Sequence, residues 1–176
     1  GDVIFDLTSV GKIDPAGAAE WRQLMAVIRG ATDRIFLVGC PPVFIERLTQ
    51  EEDLGGKAQV ISFAMPYSCT RCQTTASQVV DVEQHFDVLK FATPPELKCL
   101  DCGGATACVA SDALLAHLAT LPKPAPDAQI RKFIKAVQER KPEKPKTVDV
   151  AAAQARSQNL MIAVVGLAAV VVIAVT

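Results

Sequence analysis

The sequence Cys69-Thr70-Arg71-Cys72 is matched, after 26 intervening residues, by Cys99-Leu100-Asp101-Cys102. Each Cys-x-x-Cys pair places two thiolates on one tight turn, a geometry that tetrahedral Zn²⁺ accepts at roughly 2.3 Å per Zn–S bond. Gly103 and Gly104 follow the second pair and allow the backbone to turn tightly beneath a metal. Four thiolates fill a tetrahedral shell, so the pattern indicates structural rather than catalytic zinc. The expected ligands are Cys69, Cys72, Cys99 and Cys102.

Buried thiols, disulfides and a redox motif are the alternatives for these cysteines. A thioredoxin-like site needs one Cys-x-x-Cys motif that opens a helix after a strand. Here there are two motifs, and Pro66-Tyr67-Ser68 leads into a polar loop. We therefore predict a small β zinc ribbon over residues 66–121, closed by a helix at Ser111–Leu121.

Three further side chains are weighed as ligands. Cys108 lies six residues past the second pair and is a candidate substitute ligand. His85 is a weaker candidate, because the alternation of residues 81–88 predicts a half-buried strand. His117 lies on the closing helix, where we expect it on the surface and not on a metal.

Short apolar runs alternate with helical patterns in the first 65 residues. Val3–Leu7, Arg34–Gly39 and Gln59–Phe63 predict buried strands. Between the first two, Asp14 suits an N-cap and Pro15 the first helical position, with the helix ending at Gly30. A second short helix is predicted at Val43–Leu48. Strands that alternate with helices imply right-handed crossovers and a mainly parallel sheet.

These residues resemble a known family. Asp6-Leu7, then Ile13-Asp14-Pro15-Ala16-Gly17, then Ile35–Gly39 are similar to the STAS domain of anti-sigma-factor antagonists, over about residues 2–64 and without the family's first hairpin. The resemblance implies a small sheet flanked by helices that works as a regulatory binding module. Its binding loop would be Asp14, Pro15, Ala16 and Gly17.

One position departs from that family. In its signalling members the residue before the loop glycine is a phosphorylated Ser or Thr, whereas Ala16 stands here. Since neither Ala16 nor Pro15 accepts a phosphoryl group, we expect a binding surface without this switch. Over residues 2–110 the chain also resembles bacterial proteins that fuse such a module to a zinc ribbon.

Residues 122–156 are predicted to be a proline-rich linker followed by a basic amphipathic helix and a charged linker. Ile130, Phe133, Ile134 and Val137 form an apolar stripe at helical spacing, surrounded by Lys and Arg. Such a helix either lies on an anionic membrane surface or docks on the globular part, and the sequence favours neither.

The last twenty residues, 157–176, carry no charge. Twenty helical residues span about 30 Å, the thickness of a bilayer core, so they predict a single transmembrane helix. Nine Lys and Arg residues lie between positions 122 and 158. The positive-inside rule then places the globular part in the cytoplasm, at the inner membrane, in agreement with zinc-bound rather than disulfide-bonded cysteines.

Charge is divided unevenly along the chain. Residues 1–121 carry nine basic and fifteen acidic side chains, a net charge of −6, whereas residues 122–176 carry nine and four, a net charge of +5. Nucleic-acid binding needs a clustered basic face, yet residues 66–110 contain only Arg71, Lys90 and Lys98 as cations.

These features predict a non-enzymatic, membrane-anchored regulatory or scaffold protein. We expect protein partners such as anti-sigma or kinase-type regulators or a membrane complex, and no small-molecule substrate. A nucleic-acid- or transcription-associated ribbon tethered to the membrane is the alternative. An enzyme is disfavoured, because the sequence contains no Ser-His-Asp arrangement, phosphate-binding glycine loop or carboxylate pair.

Overall fold

The computed structural model describes residues 1–50, 58–139 and 171–175. The chain contains seven strands and five helices in these residues. In chain order they are β1 Asp2–Asp6, α1 Pro15–Ala31, β2 Arg34–Val38, α2 Pro42–Gln50, β3 Gln59–Val60, β4 Ser62–Cys69, β5 Thr75–Asp81, α3 Val82–Leu89, β6 Thr106–Cys108, α4 Asp112–Leu118, α5 Ala128–Gln138 and β7 Val171–Val175.

The first sheet has the strand order β3-β2-β1-β7. β1 pairs in parallel with β2, and β2 pairs in parallel with β3, as predicted for strands joined by helices. Alternate residues of β1 and β2 enter two hydrophobic clusters on opposite faces of the sheet. Both faces are therefore covered, which is the usual condition of a parallel sheet.

Helices α1 and α2 cover one face of this sheet. Trp21 of α1 contacts Phe5 of β1 and Phe44 of α2 edge to face, with ring centroids 5.0 and 5.3 Å apart. Asp14 caps α1 as predicted, since its carboxylate accepts a 2.8 Å hydrogen bond from the Gly17 N–H. The aromatic contacts fix α1 and α2 relative to β1.

Helix α5 covers the opposite face. Its apolar stripe packs on the sheet, where Ile130, Ile134 and Val137 are buried against residues such as Ile4 and Phe36. Two exposed ion pairs flank the contact: Arg34 with Asp127 at 2.5 Å, and Arg131 with Glu83. Of the two placements considered for this helix, the structure shows docking on the globular part.

The second sheet, β5-β4-β6, is antiparallel and is joined to the first through β4. Where β4 begins, the Cys40 N–H donates to the Ser62 carbonyl at 3.0 Å and the Ala64 N–H donates to the Cys40 carbonyl at 2.8 Å. One hydrophobic cluster extends from Val3 of the first sheet to Tyr67 of the second. Residues on both sides of position 65 thus share a core. The predicted domain boundary between residues 65 and 66 stays a prediction.

The strand predicted at residues 81–88 is wrong, because β5 ends at Asp81 and residues 82–89 form α3. The Asp81 carboxylate accepts a 2.9 Å hydrogen bond from the Gln84 N–H and starts the helix. Val82, Phe86 and Leu89 have helical spacing as well as partial alternation, and they pack on the shared core. The local pattern was ambiguous, and capping and tertiary packing select the helix.

The predicted transmembrane helix at residues 157–176 is also wrong. No helix of the described residues is long and apolar enough to cross a membrane. Val171–Val175 form β7 instead, antiparallel to β1 with Asp2 opposite Val175. Four of these five residues are β-branched, and such residues favour strands. Residues 157–170, like the predicted charged linker at 141–146, lie outside the described residues.

A substitution at Gly39 tests the close packing of the backbone near the junction between the two sheets. Its φ is +63°, and a Cβ added there would lie 2.3 Å from Thr8 Oγ1 and 3.3 Å from Thr8 Cα. We expect Gly39→Ala to lower the free energy of unfolding by about 2 kcal/mol or more, from backbone strain and overpacking.

Gly30→Ala is the matched control in chemical denaturation. Gly30 is exposed inside α1, and no described residue comes within 4 Å of an added Cβ, so this variant should be stabilised by about 0.5–1 kcal/mol. Equal stabilities of the two variants would contradict the geometry described for Gly39.

Candidate metal centre

The structure brings the four predicted cysteines together at one end of the antiparallel sheet. Their Sγ atoms all lie within 4.8 Å of one another. Two contacts between the pairs are shorter, at 3.5 Å from Cys69 to Cys102 and 3.6 Å from Cys72 to Cys99. A regular tetrahedron with Zn–S bonds of about 2.3 Å has S···S edges of about 3.8 Å. The four sulfurs therefore suit a tetrahedral metal ion after small adjustments.

The first pair forms a tight turn, here called the first knuckle, at residues 69–74. The Cys69 N–H donates to the Thr74 carbonyl at 2.9 Å, and the Gln73 N–H donates back to the Cys69 carbonyl at 3.1 Å. The N–H groups of Arg71 and Cys72 point at Cys69 Sγ from 3.3 and 3.4 Å. Backbone N–H dipoles are thus aimed at a sulfur that would carry negative charge as a metal ligand.

The second pair repeats this turn at residues 99–104, the second knuckle. The Cys99 N–H donates to the Gly104 carbonyl at 2.8 Å, and the Gly103 N–H donates to the Cys99 carbonyl at 2.9 Å. The residue after the last cysteine has a positive φ in both knuckles, 59° at Gln73 and 69° at Gly103. The two halves of the centre therefore share one backbone design, thirty residues apart.

The thiols are electrostatically unequal. Hydrogen bonding to the Thr74 hydroxyl, 3.4 Å from the sulfur, lowers the pKa of Cys72 to about 6. The Cys72 N–H lowers the pKa of Cys69. The Gly104 N–H favours the Cys102 thiolate, but the neighbouring sulfurs of Cys69 and Cys72 raise the pKa of Cys102 to about 12. Because like charges disfavour one another, full ionisation of this cluster requires a bound cation.

Tyr67 of the hydrophobic core connects the two segments that carry the cysteines. Tyr67, two residues before Cys69, is 2 % exposed and donates from its hydroxyl to the Pro95 carbonyl at 2.9 Å. This bond ties the segment that leads to the second knuckle onto β4. The Thr70 N–H and hydroxyl both donate to the Ala105 carbonyl, at 3.1 and 3.0 Å, and join the first knuckle to the residue that follows the second.

The ligands differ in burial. Cys69 and Cys99 are buried at 2 % and 8 % exposure, Cys102 is half-buried, and Cys72 is exposed. A metal bound here would therefore be held against the core on one side and lie near solvent on the Cys72 side.

The three further candidate ligands lie elsewhere. In the described part of the chain, the group of metal-compatible side chains around this centre contains the four cysteines alone. Cys108 is in β6, opposite Tyr67, and its sulfur accepts a 3.4 Å hydrogen bond from the Ala110 N–H. His85 is half-buried on α3. His117 is half-buried rather than on the surface, and burial lowers its pKa. Its Nε2 has no hydrogen-bond partner among the described residues.

The predicted binding loop forms the start of α1. Asp14, Pro15 and Ala16 are exposed and Gly17 is half-buried. The Asp14 carboxylate is used as the helix cap described above. These four residues are not part of the cysteine group, and their predicted role in binding stays a prediction.

Sequence reasoning missed Gln73 as a structural residue of the centre. Its left-handed backbone corresponds to that of Gly103, which the sequence marked as a turn residue. A glutamine gives no such signal, because the left-handed region is disfavoured for residues with a Cβ. The 30-residue offset between the knuckles is the feature that would have revealed it.

Comparison of the chain with protein-family models, curated proteins and solved structures finds no match.

Opposite substitutions at the two equivalent positions test the shared knuckle geometry. Gln73→Gly removes the strain of a side chain at positive φ, whereas Gly103→Ala introduces that strain without a clash, since no atom of the described part of the chain lies within 4 Å of the new Cβ. In the metal-loaded protein we expect a gain of up to about 1 kcal/mol for Gln73→Gly and a loss of about 1 kcal/mol for Gly103→Ala, measured by chemical denaturation. Changes of the same sign in both variants would argue against equivalent knuckles.

Proposed function

We propose that this chain is a non-enzymatic regulatory or scaffold module whose four-cysteine centre holds structural Zn²⁺. The observation that carries the proposal is the group of four sulfurs, contributed by two matching knuckles and mutually within 4.8 Å. Four thiolates complete the tetrahedral shell of Zn²⁺ and leave no position for a substrate or a reactive water, as they do in structural sites. Tetrahedral sulfur sites also accept iron, so the metal must be identified directly.

Protein binding is the role we propose for the module as a whole. The parallel pairing of β1 with β2 and the capping of α1 by Asp14 are consistent with a STAS-like binding module over residues 1–65. Few cations in residues 66–110 count against a nucleic-acid-binding face. Reduced, metal-bound cysteines suit a reducing compartment, and the cytoplasmic location stays a prediction.

Zinc would stabilise more than the knuckles. β4 ends in the ligand Cys69, while Phe63, Met65 and Tyr67 of the same strand lie in the shared core. Because metal binding contributes folding free energy, its loss should weaken the core to which the ligands are attached.

We expect one zinc per chain by elemental analysis of the purified protein. Cys72→Ser should bind zinc at least about tenfold more weakly, because the ligand set is no longer complete. Chelation should lower the unfolding temperature of a single cooperative transition. Fluorescence of Trp21, which is in the shared core, reports that transition.

Cys108→Ser is the matched control, since Cys108 lies outside the four-cysteine group. It should retain full zinc content. Stoichiometric iron in place of zinc would overturn the metal assignment but keep the centre. Zinc retained at full affinity by Cys72→Ser would overturn the ligand set.

The binding role is tested by capture from nuclease-treated cell extract, with the zinc-loaded chain and Cys72→Ser as parallel baits. We expect a defined protein to be enriched by the zinc-loaded chain only, because the folded surface depends on the metal. The captured protein must then bind the purified chain directly. Salt-sensitive recovery of nucleic acid from untreated extract, with no protein that binds directly, would contradict the proposal.

A further inference from the structure

β5 is an edge strand of the antiparallel sheet. Its register with β4 runs from Ser62 opposite Asp81 to Ser68 opposite Thr75. In the strand order β5-β4-β6, the described residues place a partner on only one side of β5. The other side of this seven-residue strand is the feature that carries the inference.

The hydrogen-bond pattern shows which backbone groups point away from β4. At the two ends of the ladder, the Cys69 N–H donates to the Thr74 carbonyl and the Val82 N–H donates to the Ile61 carbonyl, each at 2.9 Å. Hydrogen-bonded pairs alternate along an antiparallel ladder, so the even-numbered residues of β5 face β4. The N–H and C=O groups of Thr75, Ser77 and Val79 then face outward.

The side chains along this edge leave it accessible. Thr75, Ser77 and Val79 are all exposed, and Val79 is 58 % exposed, which is high for a large apolar residue in a strand. The alternate residues Gln78 and Val80 are buried and hold the strand in place. β5 thus presents an ordered ladder of outward hydrogen-bonding groups.

Among the described residues, most of this edge lacks the usual protection against pairing, and Asp81 at the end of β5 is the one charge in the strand. Natural proteins protect edge strands with charges, proline or bulges. Residues 73–80, Gln-Thr-Thr-Ala-Ser-Gln-Val-Val, contain neither charge nor proline. β5 also pairs with β4 residue by residue without a bulge. In a chain of which 21 % of residues are charged, this edge is suited to accepting another strand.

We propose that β5 pairs with β5 of a second copy of this chain, antiparallel about a two-fold axis at Ser77. Antiparallel self-pairing is isologous, so each copy offers the same outward groups to the other. In this register Val79 lies opposite Thr75 of the other copy. The two Asp81 carboxylates are about 27 Å apart along the strands, well beyond the screening length, so their repulsion is negligible.

The assembly is a six-stranded sheet with the order β6-β4-β5-β5-β4-β6. Pairing through one strand buries less area than a standard stable interface, so the dimer is reversible and its fraction depends on concentration. Self-association goes beyond the protein binding proposed above and uses no metal ligand.

Sedimentation equilibrium of the full metal-loaded chain, over a range of concentrations, measures the dimer. Val79→Lys places a cation on the edge of both copies, and we expect it to raise the dimer dissociation constant at least about tenfold. Val109→Lys is the matched control, because Val109 is 52 % exposed and lies beyond β6 on the other side of the sheet. It should leave the constant within about twofold.

Two proline substitutions test the backbone hydrogen bonds between the two β5 strands. Ser77→Pro removes an outward N–H and should abolish the dimer while the monomer stays folded, because proline is tolerated where an edge N–H faces away from its sheet. Ala76→Pro removes an inward N–H and should destabilise the monomer. Circular dichroism and zinc content on the same samples separate loss of pairing from loss of the fold or of the metal.

A wild-type chain that stays monomeric at all concentrations would overturn the proposal. A dimer that is unaffected by both Val79→Lys and Ser77→Pro would equally overturn it and would place the contact elsewhere. Zinc content that is normal in either case leaves the proposed metal centre untouched.

Discussion

The structure depends on the way β4 divides its backbone hydrogen bonds. Its even-numbered residues face Cys40 at one end and the strand β6 at the other, while its odd-numbered residues face β5. Since a strand has only two edges, this division fixes the positions of the parallel sheet, the antiparallel sheet and both knuckles at once. The side chains of Met65 and Tyr67 pack into the shared core and hold β4 in register.

The position of the four-cysteine centre is a consequence of that register. Cys69 is the last residue of β4, and the Thr70–Ala105 hydrogen bonds bring the second knuckle beside the first. Each knuckle supplies two sulfurs on the same backbone turn, and neither can complete a tetrahedron alone. The four sulfurs lie within 4.8 Å of one another, and the neighbouring sulfurs raise the pKa of Cys102. A divalent cation would offset the repulsion between four thiolates at this distance.

The two sheets differ in how the described residues cover their exposed faces and edges. The face of the parallel sheet opposite α1 is closed by α5, whose apolar stripe would otherwise be exposed. The outer edge of β5 has no such cover from the described residues, and it offers hydrogen-bonding groups instead of an apolar face. The protein binding proposed above would make use of both: a closed core that keeps its shape and a strand edge that can be extended.

The sequence by itself determined the local features, because each depends on residues close in the chain. The Cys-x-x-Cys spacing marked the four sulfurs, Asp14-Pro15 marked the start of α1, and the short β-branched runs marked β1 and β2. Two segments have a local pattern that fits both a helix and a strand, and only the tertiary structure decided between the two. Residues 82–89 became a helix because Asp81 caps it and the core receives its apolar side chains. The run Val171–Val175 fits both a membrane helix and a strand, and the open edge of β1 selected the strand because pairing there satisfies its backbone hydrogen bonds.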